Sequence, residues 1–500
     1  MRLSVPHATR RNVLLALGTL SVGGAILSAC TKGGAASTQA FDDRLADLHR
    51  RTFNYFWDTT DAKTGLAPDN WPRPDFCSVA AVGFALTAYC IGSKSGYVSR
   101  EDAAQRTLVS LRTFWNGPQG SATTGVMGYK GFFYHFLHLD TGLRFKTCEL
   151  SSIDTCLFLG GALTAAGYFD GTTPVESEIR QLAMDIYGRV DWTFMARDNG
   201  LVSMGWRPEP GLPDHDVKGL INRSWDRYNE GMIVYVLGLA SPTHPLPDTA
   251  WTSWAATIGG TWGTNYGETY LGFSPMFGHQ YSHIWFDFRG IADAFMRDKK
   301  SDYFINSEKA TRAQRNYAIQ NPAGFKDYSA TIWGLTACRG PKEVKAAVNG
   351  HEVQFHKYGA RGPATGDRES FDDGTIAPTA ALGSVAFAPD ICVPTALALM
   401  DKYGSDIYGQ YGFLDSFNPS FPKGVETGTG HQTAKAGWVA NEYLGIDQGP
   451  ILAMLENYRS GFVWDMVCRS PVSGPLVKAT LTKAGFQPVS EAGSWLKAST

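Results

Sequence analysis

Apolar residues recur at helical spacing along most of this 500-residue chain, and the connections between the runs alternate between short and very long. The first run sets the pattern: Phe41, Leu45, Leu48, Thr52, Phe53 and Phe56 fall at i, i+3 and i+4 spacing and mark one buried face. Similar runs lie near 76–92, 100–115, 149–167, 174–191, 226–240, 280–297, 301–320, 327–338, 378–401, 438–445 and 449–467. The stretches 117–143, 199–220, 261–278, 340–375 and 403–437 are rich in Gly, Trp, Tyr and Asp and are too long to be mere connectors. A dozen helices joined in this way predict an all-α fold, an α/α toroid or barrel in which an outer ring of helices covers an inner one. The long loops then gather at one end and form a cleft there.

Residues 1–29 read as an export signal. Arg10 and Arg11 precede the apolar run 14–26, which falls short of the roughly 20 residues of a membrane-spanning helix. Leu27, Ser28, Ala29 and Cys30 resemble a lipobox, so Cys30 is expected to carry a lipid and anchor the chain in a bacterial cell envelope. The small polar stretch 30–40 then serves as a tether, and 41–490, which no linker or charge run divides, as a single domain. Without 1–29 the chain loses three arginines, so 45 basic residues become 42 against 47 acidic ones. That balance, with no Lys/Arg-rich block, argues against nucleic acid as a partner, and a monomer is expected. The cysteines beyond Cys30 include no C-x-x-C pair and read as small buried hydrophobes, with one disulfide possible. The histidines are dispersed without metal-ligand spacing and no G-x-S-x-G occurs, so neither a metal, a cofactor nor a Ser nucleophile is expected.

Phe, Tyr and Trp total 63 residues while charged side chains are 18%. This balance suits a cleft for an uncharged, ring-shaped ligand such as a sugar, stacked on aromatic faces and held by hydrogen bonds from Asp, Asn, Arg and His. Trp71, Tyr134, Trp206, Trp225, Phe273 and Trp285 sit among polar residues and are candidates for stacking; packing between helices is the alternative. Glu230 follows Trp225 and Tyr228 and precedes an apolar helix. A carboxyl sheltered in this way holds its proton near neutral pH and can act as a general acid, although a helix-start glutamate also serves simply as a partner of the helix dipole. Asp447 lies just before Pro450, which suits a first helical position, so it reads as a capping residue that stays solvated and ionised beside the cleft. Glu149 and Asp154 form a further acidic site at a helix start, where Ser151 or Ser152 could cap. Asp287, in HIWFDFR from His283 to Arg289, is either a ligand contact or a structural partner of Arg289. Gly-Phe followed by further aromatics recurs faintly at 131–136, 271–277 and 411–417.

Four ordered motifs, GFFYHFLHLDTG at 131–142, ELSSID at 149–154, YNEG at 228–231 with SPTHP at 241–245, and WVANEYLGIDQGP at 438–450, together resemble the glucoamylase-like domain of glycoside hydrolase family 144. The likeness spans about residues 45 to 470. It implies an (α/α)6 toroid that hydrolyses β-1,2-glucan internally with inversion and without a metal. By motif match the acid falls on Glu230 and the base on Asp447; His135, Glu149, Asp154, Trp206, Tyr228, His283, Asp287, Trp438 and Glu442 are expected as substrate contacts. His138 and Asp140 depart from the more acidic pairing expected of relatives, which bears on product length. An exo-acting hydrolase releasing sophorose and a glycan-binding lipoprotein without catalysis remain as alternatives. A polysaccharide lyase would need cationic residues for uronates, and these motifs are too acidic for it.

Overall fold

Residues 42–363 and 370–497 are described by a computed structural model. The export signal 1–29, the lipidation site Cys30 and the tether 30–40 lie outside the described residues. Twelve helices alternate between an outer and an inner ring. The outer ring is α1 (Asp43–Thr59), α3 (Arg100–Asn116), α5 (Pro174–Arg189), α7 (Ala250–Ile258), α9 (Tyr303–Gln320) and α11 (Pro389–Ile407). The inner ring is α2 (Val79–Lys94), α4 (Ser152–Tyr168), α6 (Met232–Ala240), α8 (Phe277–Trp285), α10 (Pro378–Leu382) and α12 (Gly445–Ser460). This is an (α/α)6 toroid, followed by a further helix α13 (Gly474–Lys483).

The two rings differ as burial requires. Outer α1 is amphipathic and turns Leu45, Leu48, Thr52, Phe53 and Phe56 inward, whereas inner α2 is apolar all round and buried from Val79 through Gly92. Glycines let α2 and α4 approach closely: a Cβ on Gly83 would stand 2.2 Å from the Leu157 carbonyl, and one on Gly161 would stand 2.0 Å from the Gly83 carbonyl. At five of its six junctions the ring closes through direct packing of one inner helix on the next. Between α8 and α10 the closure is a set of hydrogen bonds from the Gln280 amide to the Ala380 carbonyl (2.9 Å) and Ser384 Oγ (2.8 Å). The cysteines from Cys77 to Cys468 are all unpaired, and all but Cys148 are buried. No described helix is long and apolar enough to cross a membrane.

Several sequence expectations give way here. The run 327–338 is not a helix: Gly334 at φ 145° and the Gln314 side chain, bonded to both the N–H and the carbonyl of Leu335 at 2.8 Å, hold it extended into the strand Ala337–Arg339. The run 438–445 is two short strands, Gly437–Val439 and Tyr443–Leu444. The run 280–297 breaks after Trp285, where the Asp287 carboxylate ties back to Arg289 and Gly290 takes φ 67°. Beyond 490 the body continues into a 3-10 turn, Glu491–Leu496, with Leu496 buried.

A β excursion stands on the long connection before α10, with Ala337–Arg339 paired to Tyr358–Ala360 and Val344–Val348 paired to His351–Phe355. It is stapled by the fully buried Arg361, which donates to both Asp373 oxygens (2.7 and 2.8 Å) and to the carbonyls of Cys338 (2.8 Å) and His356 (3.0 Å). Removing one partner of such a pair strands the other charge in the interior. Arg361→Ala is therefore expected to destabilise the fold by roughly 3–5 kcal/mol, read as a lower urea midpoint.

Candidate active site

Each inner helix is entered by a long connection, residues 60–78, 117–151, 190–231, 259–276, 321–377 and 408–444, so all six begin at the same end of the ring. Their N-termini bring partial positive charge to that mouth and favour carboxylates there.

Glu230 ends the third of these connections, directly before α6. Its carbonyl accepts the Ser282 hydroxyl at 2.7 Å, and Oε2 is buried without a hydrogen-bond partner. Burial raises its pKa to about 7; a bond from its own N–H works against this, and the charge of Asp154 adds to it. Trp225 and Tyr228, the rings expected from the sequence to shelter it, are both buried, Trp225 donating to Ser152 Oγ at 2.8 Å.

Asp154 lies in the first turn of α4, whose start is capped by Ser151, with the Asp154 N–H 3.1 Å from Ser151 Oγ. His135 comes from the neighbouring connection and bridges two carboxylates, with Nδ1 2.8 Å from Glu149 Oε1 and Nε2 3.6 Å from Asp154 Oδ1. Burial opposes a charge on His135, yet Asp154 and Glu149 outweigh it and lift the imidazole to about 9. Burial likewise opposes ionisation of Glu149, but the bond and charge of His135 bring it down to about 2. The trio therefore carries an imidazolium between two acids at neutral pH, half open to the cleft.

Asp447 differs from its sequence reading. It sits inside the first turn of α12, not before it, because the helix begins at Gly445 and Pro450 falls within it. It is only 4% exposed, not solvated. Burial pushes its pKa well above the ordinary range, and the charge and hydrogen bond of Asp415 push the same way. Asp415 is anchored by the Arg339 N–H (2.8 Å) and the Ser416 hydroxyl (2.9 Å). Arg339 reaches Glu442 at 3.3 Å, and its guanidinium lies 5.6 Å from the centre of the exposed Tyr358 ring. Asp69 faces the same group, since its charge raises Asp447 and is itself opposed by Arg339 and His135. Tyr281 feels the charges of Asp447, Tyr358, Glu230 and Asp154 together, so these groups form one cluster around its ring.

Five expected contacts lie away from it. His283 is fully buried among Phe288, Phe304 and Phe387, bonded to Ser307 at 3.2 Å, and burial lowers its pKa to about 3. Asp287 is a buried structural carboxylate clamped by Arg289 (2.7 Å) and Arg469. Trp438 is fully buried and donates to the Thr429 carbonyl at 2.6 Å. Trp206 packs on Tyr129 and Phe194 and donates to the Lys218 carbonyl at 2.8 Å. Tyr228 is buried against Tyr303 and bonded to Ser307 at 3.2 Å. Of the loop aromatics, Tyr134, Trp225 and Trp285 are also buried; Trp71 and Phe273 are half-buried. Phe76 and Phe136 stack edge-on at 4.6 Å, with Phe145 4.8 Å from Phe76 on its other side, and these half-buried rings flank His135. Asp69, Arg339, Asp415, Tyr281 and Tyr358 were missed from the sequence, though Asp415 lies in one of the faintly repeated Gly-Phe loops. Among the described residues no group of three His, Cys, Asp or Glu is arranged to hold a metal.

The Glycoamylase family model, described as "Putative glucoamylase", matches residues 222–471. An exo β-1,2-glucooligosaccharide sophorohydrolase (non-reducing end) of Parabacteroides distasonis is 27% identical over 86% of this chain, and the match spans 57% of that relative's length. The structure of an endo-β-1,2-glucanase from Chitinophaga pinensis, in complex with sophorotriose and glucose, superposes with TM-score 0.71 at 26% identity, covering 90% of this chain and 99% of that one. A β-1,2-glucanase from Parabacteroides distasonis gives TM-score 0.71 at 26% identity, over 90% of this chain and 61% of its own. With half its length matched by the family and the ring and mouth described above, the chain belongs to the glucoamylase-like Glycoamylase family, in keeping with glycoside hydrolase family 144.

Proposed function

We propose that this protein hydrolyses β-1,2-glucan with inversion. Glu230 protonates the glycosidic oxygen as the C1–O bond breaks, and the Asp447 carboxylate, beside Asp415, takes a proton from the water that adds to C1 from the other face. The observation that carries this reading is the Glu230 carboxyl: raised to about 7, unpartnered at Oε2, and acting with Asp447 on the same Tyr281 ring. The His135, Glu149 and Asp154 trio and Glu442 offer hydrogen bonds to sugar hydroxyls, and the half-buried rings of Trp71, Phe76 and Phe136 offer apolar faces. The chain's full-length likeness to an endo-acting relative supports internal cleavage. The 27% identity to a sophorohydrolase favours a second reading, release of sophorose from one chain end. We place the protein in the bacterial envelope, held as a monomer by a lipid on Cys30, on the strength of the lipobox-like residues 27–30.

Incubation with linear β-1,2-, β-1,3- and β-1,4-glucans, followed by reducing-end assay, is expected to give signal with the first alone. An early ladder of oligosaccharides marks internal cleavage, and sophorose from the first minutes marks the exo reading. No new reducing ends on any glucan would leave a glycan binder in place of an enzyme.

A further inference from the structure

The backbones that carry Glu230 and Asp447 are tied to consecutive residues of one helix. Ser282 of α8 donates its hydroxyl to the Glu230 carbonyl at 2.7 Å and accepts the Ile233 N–H at 3.1 Å, which closes the start of α6. Tyr281 donates its hydroxyl to the Ile446 carbonyl at 3.2 Å, one residue before Asp447. That carbonyl lacks its usual intrahelical donor, because the residue four positions on is Pro450, which has no N–H. The Tyr281 ring is itself held between Phe84 and Phe277, with centroids at 6.1 and 5.6 Å. Successive residues on a helix point about 100° apart, so two neighbours reach two different segments, one carrying Glu230 and the other Asp447. Neither hydrogen bond engages a carboxyl. Both engage main chain that a carboxyl rides on.

We propose that Tyr281 and Ser282 are positioning residues that set the spacing between acid and base, Ser282 acting on Glu230 and Tyr281 on Asp447. The inference rests on the catalytic reading given above. With both tethers on one rigid backbone, the two carboxyls move together, which matters because a misplacement of about 1 Å can cost roughly 10²-fold in rate.

The test compares β-1,2-glucan with a 2,4-dinitrophenyl β-1,2-glucooligosaccharide, whose leaving group departs without a proton. Ser282→Ala is expected to lower kcat on glucan roughly 10- to 100-fold with little change in KM, and to leave the dinitrophenyl substrate nearly unaffected. Tyr281→Phe is expected to lower kcat on both substrates, since both need the base. The double variant Y281F/P450A gives Ile446 a backbone donor again; it should recover thermal stability without recovering turnover, because the tie to α8 is still missing. This variant keeps the backbone groups of α12 partnered and decides the matter for Tyr281 even if the single variant folds poorly. Equal loss on both substrates in Ser282→Ala, recovered turnover in Y281F/P450A, or wild-type kinetics in both single variants would overturn the inference. An active Glu230→Gln enzyme would instead overturn the catalytic reading, whereas an inactive one beside normal Tyr281 and Ser282 variants sinks the positioning role alone.

Discussion

Replacing Glu230 by Gln is expected to lower turnover of β-1,2-glucan roughly 10²–10⁴-fold and, at pH 8, to make the protein more stable than the parent. Both effects come from one feature, a carboxyl forced out of water. Its pKa in the fold is about 7, against an ordinary value of 4.5. Burial thus favours the neutral form, and the stability this group contributes is fully present below about 4.5 and lost as pH rises through about 7. Above that point the ionised carboxylate costs the fold up to roughly 3 kcal/mol. Gln has the same shape and never ionises. Melting curves of the two proteins should therefore coincide near pH 4 and separate near pH 8, with the variant higher. Coincident curves at both values, or turnover close to the parent's, would remove Glu230 from the role of acid. A strained functional group of this kind is an ordinary way for activity to be held at the expense of stability.

The second large effect concerns the acid pair. The pH–rate profile is expected to be bell-shaped, with its alkaline limb near 7 from Glu230 and its acid limb above the usual carboxylate range. That limb belongs to Asp447, raised by burial and by the neighbouring Asp415. Asp447→Asn is expected to lower kcat roughly 10²–10⁴-fold across the whole range. Asp415→Asn removes the like charge and supplies an amide donor, so Asp447 ionises more readily, although burial and Asp69 still raise it while Arg339 still lowers it. The acid limb should move to lower pH while measurable turnover survives. An unmoved limb in Asp415→Asn would show that Asp415 does not set the ionisation of Asp447.

What could be read from the sequence followed from how local each signal was. Glu230, Glu149 and Asp154 were visible because an acid at the start of an apolar helix is a short-range pattern, and inner-helix starts in this fold all face the mouth. The alternation of short and long connections likewise announced two concentric rings. His283 and Asp287 misled because a motif does not say which way a helix is rotated: Tyr281 and Ser282 turn toward the catalytic segments while His283 turns into the core. Asp447 was read as solvated because nothing near it in the chain reveals that Asp415, far upstream on the connection that enters α12, lies against it. Arg339 and Asp69 reach the site from distant connections for the same reason. The 327–338 run failed differently, since its apolar residues are buried from an extended segment braced by one Gln side chain, and a short apolar run does not distinguish the two conformations.

The gathering of acids at the mouth also has a consequence for which polymers can enter. Asp69, Glu149, Asp154, Glu230, Asp415, Glu442 and Asp447 gather there, with His135, Arg207 and Arg339 as the cations set among them. On the proposed reading a neutral glucan would meet no charge barrier at this rim, whereas a chain bearing phosphate, succinate or uronate groups would meet a surplus of like sign that only dissolved ions can screen. The opening is then expected to sort polysaccharides by their decoration before any linkage is read.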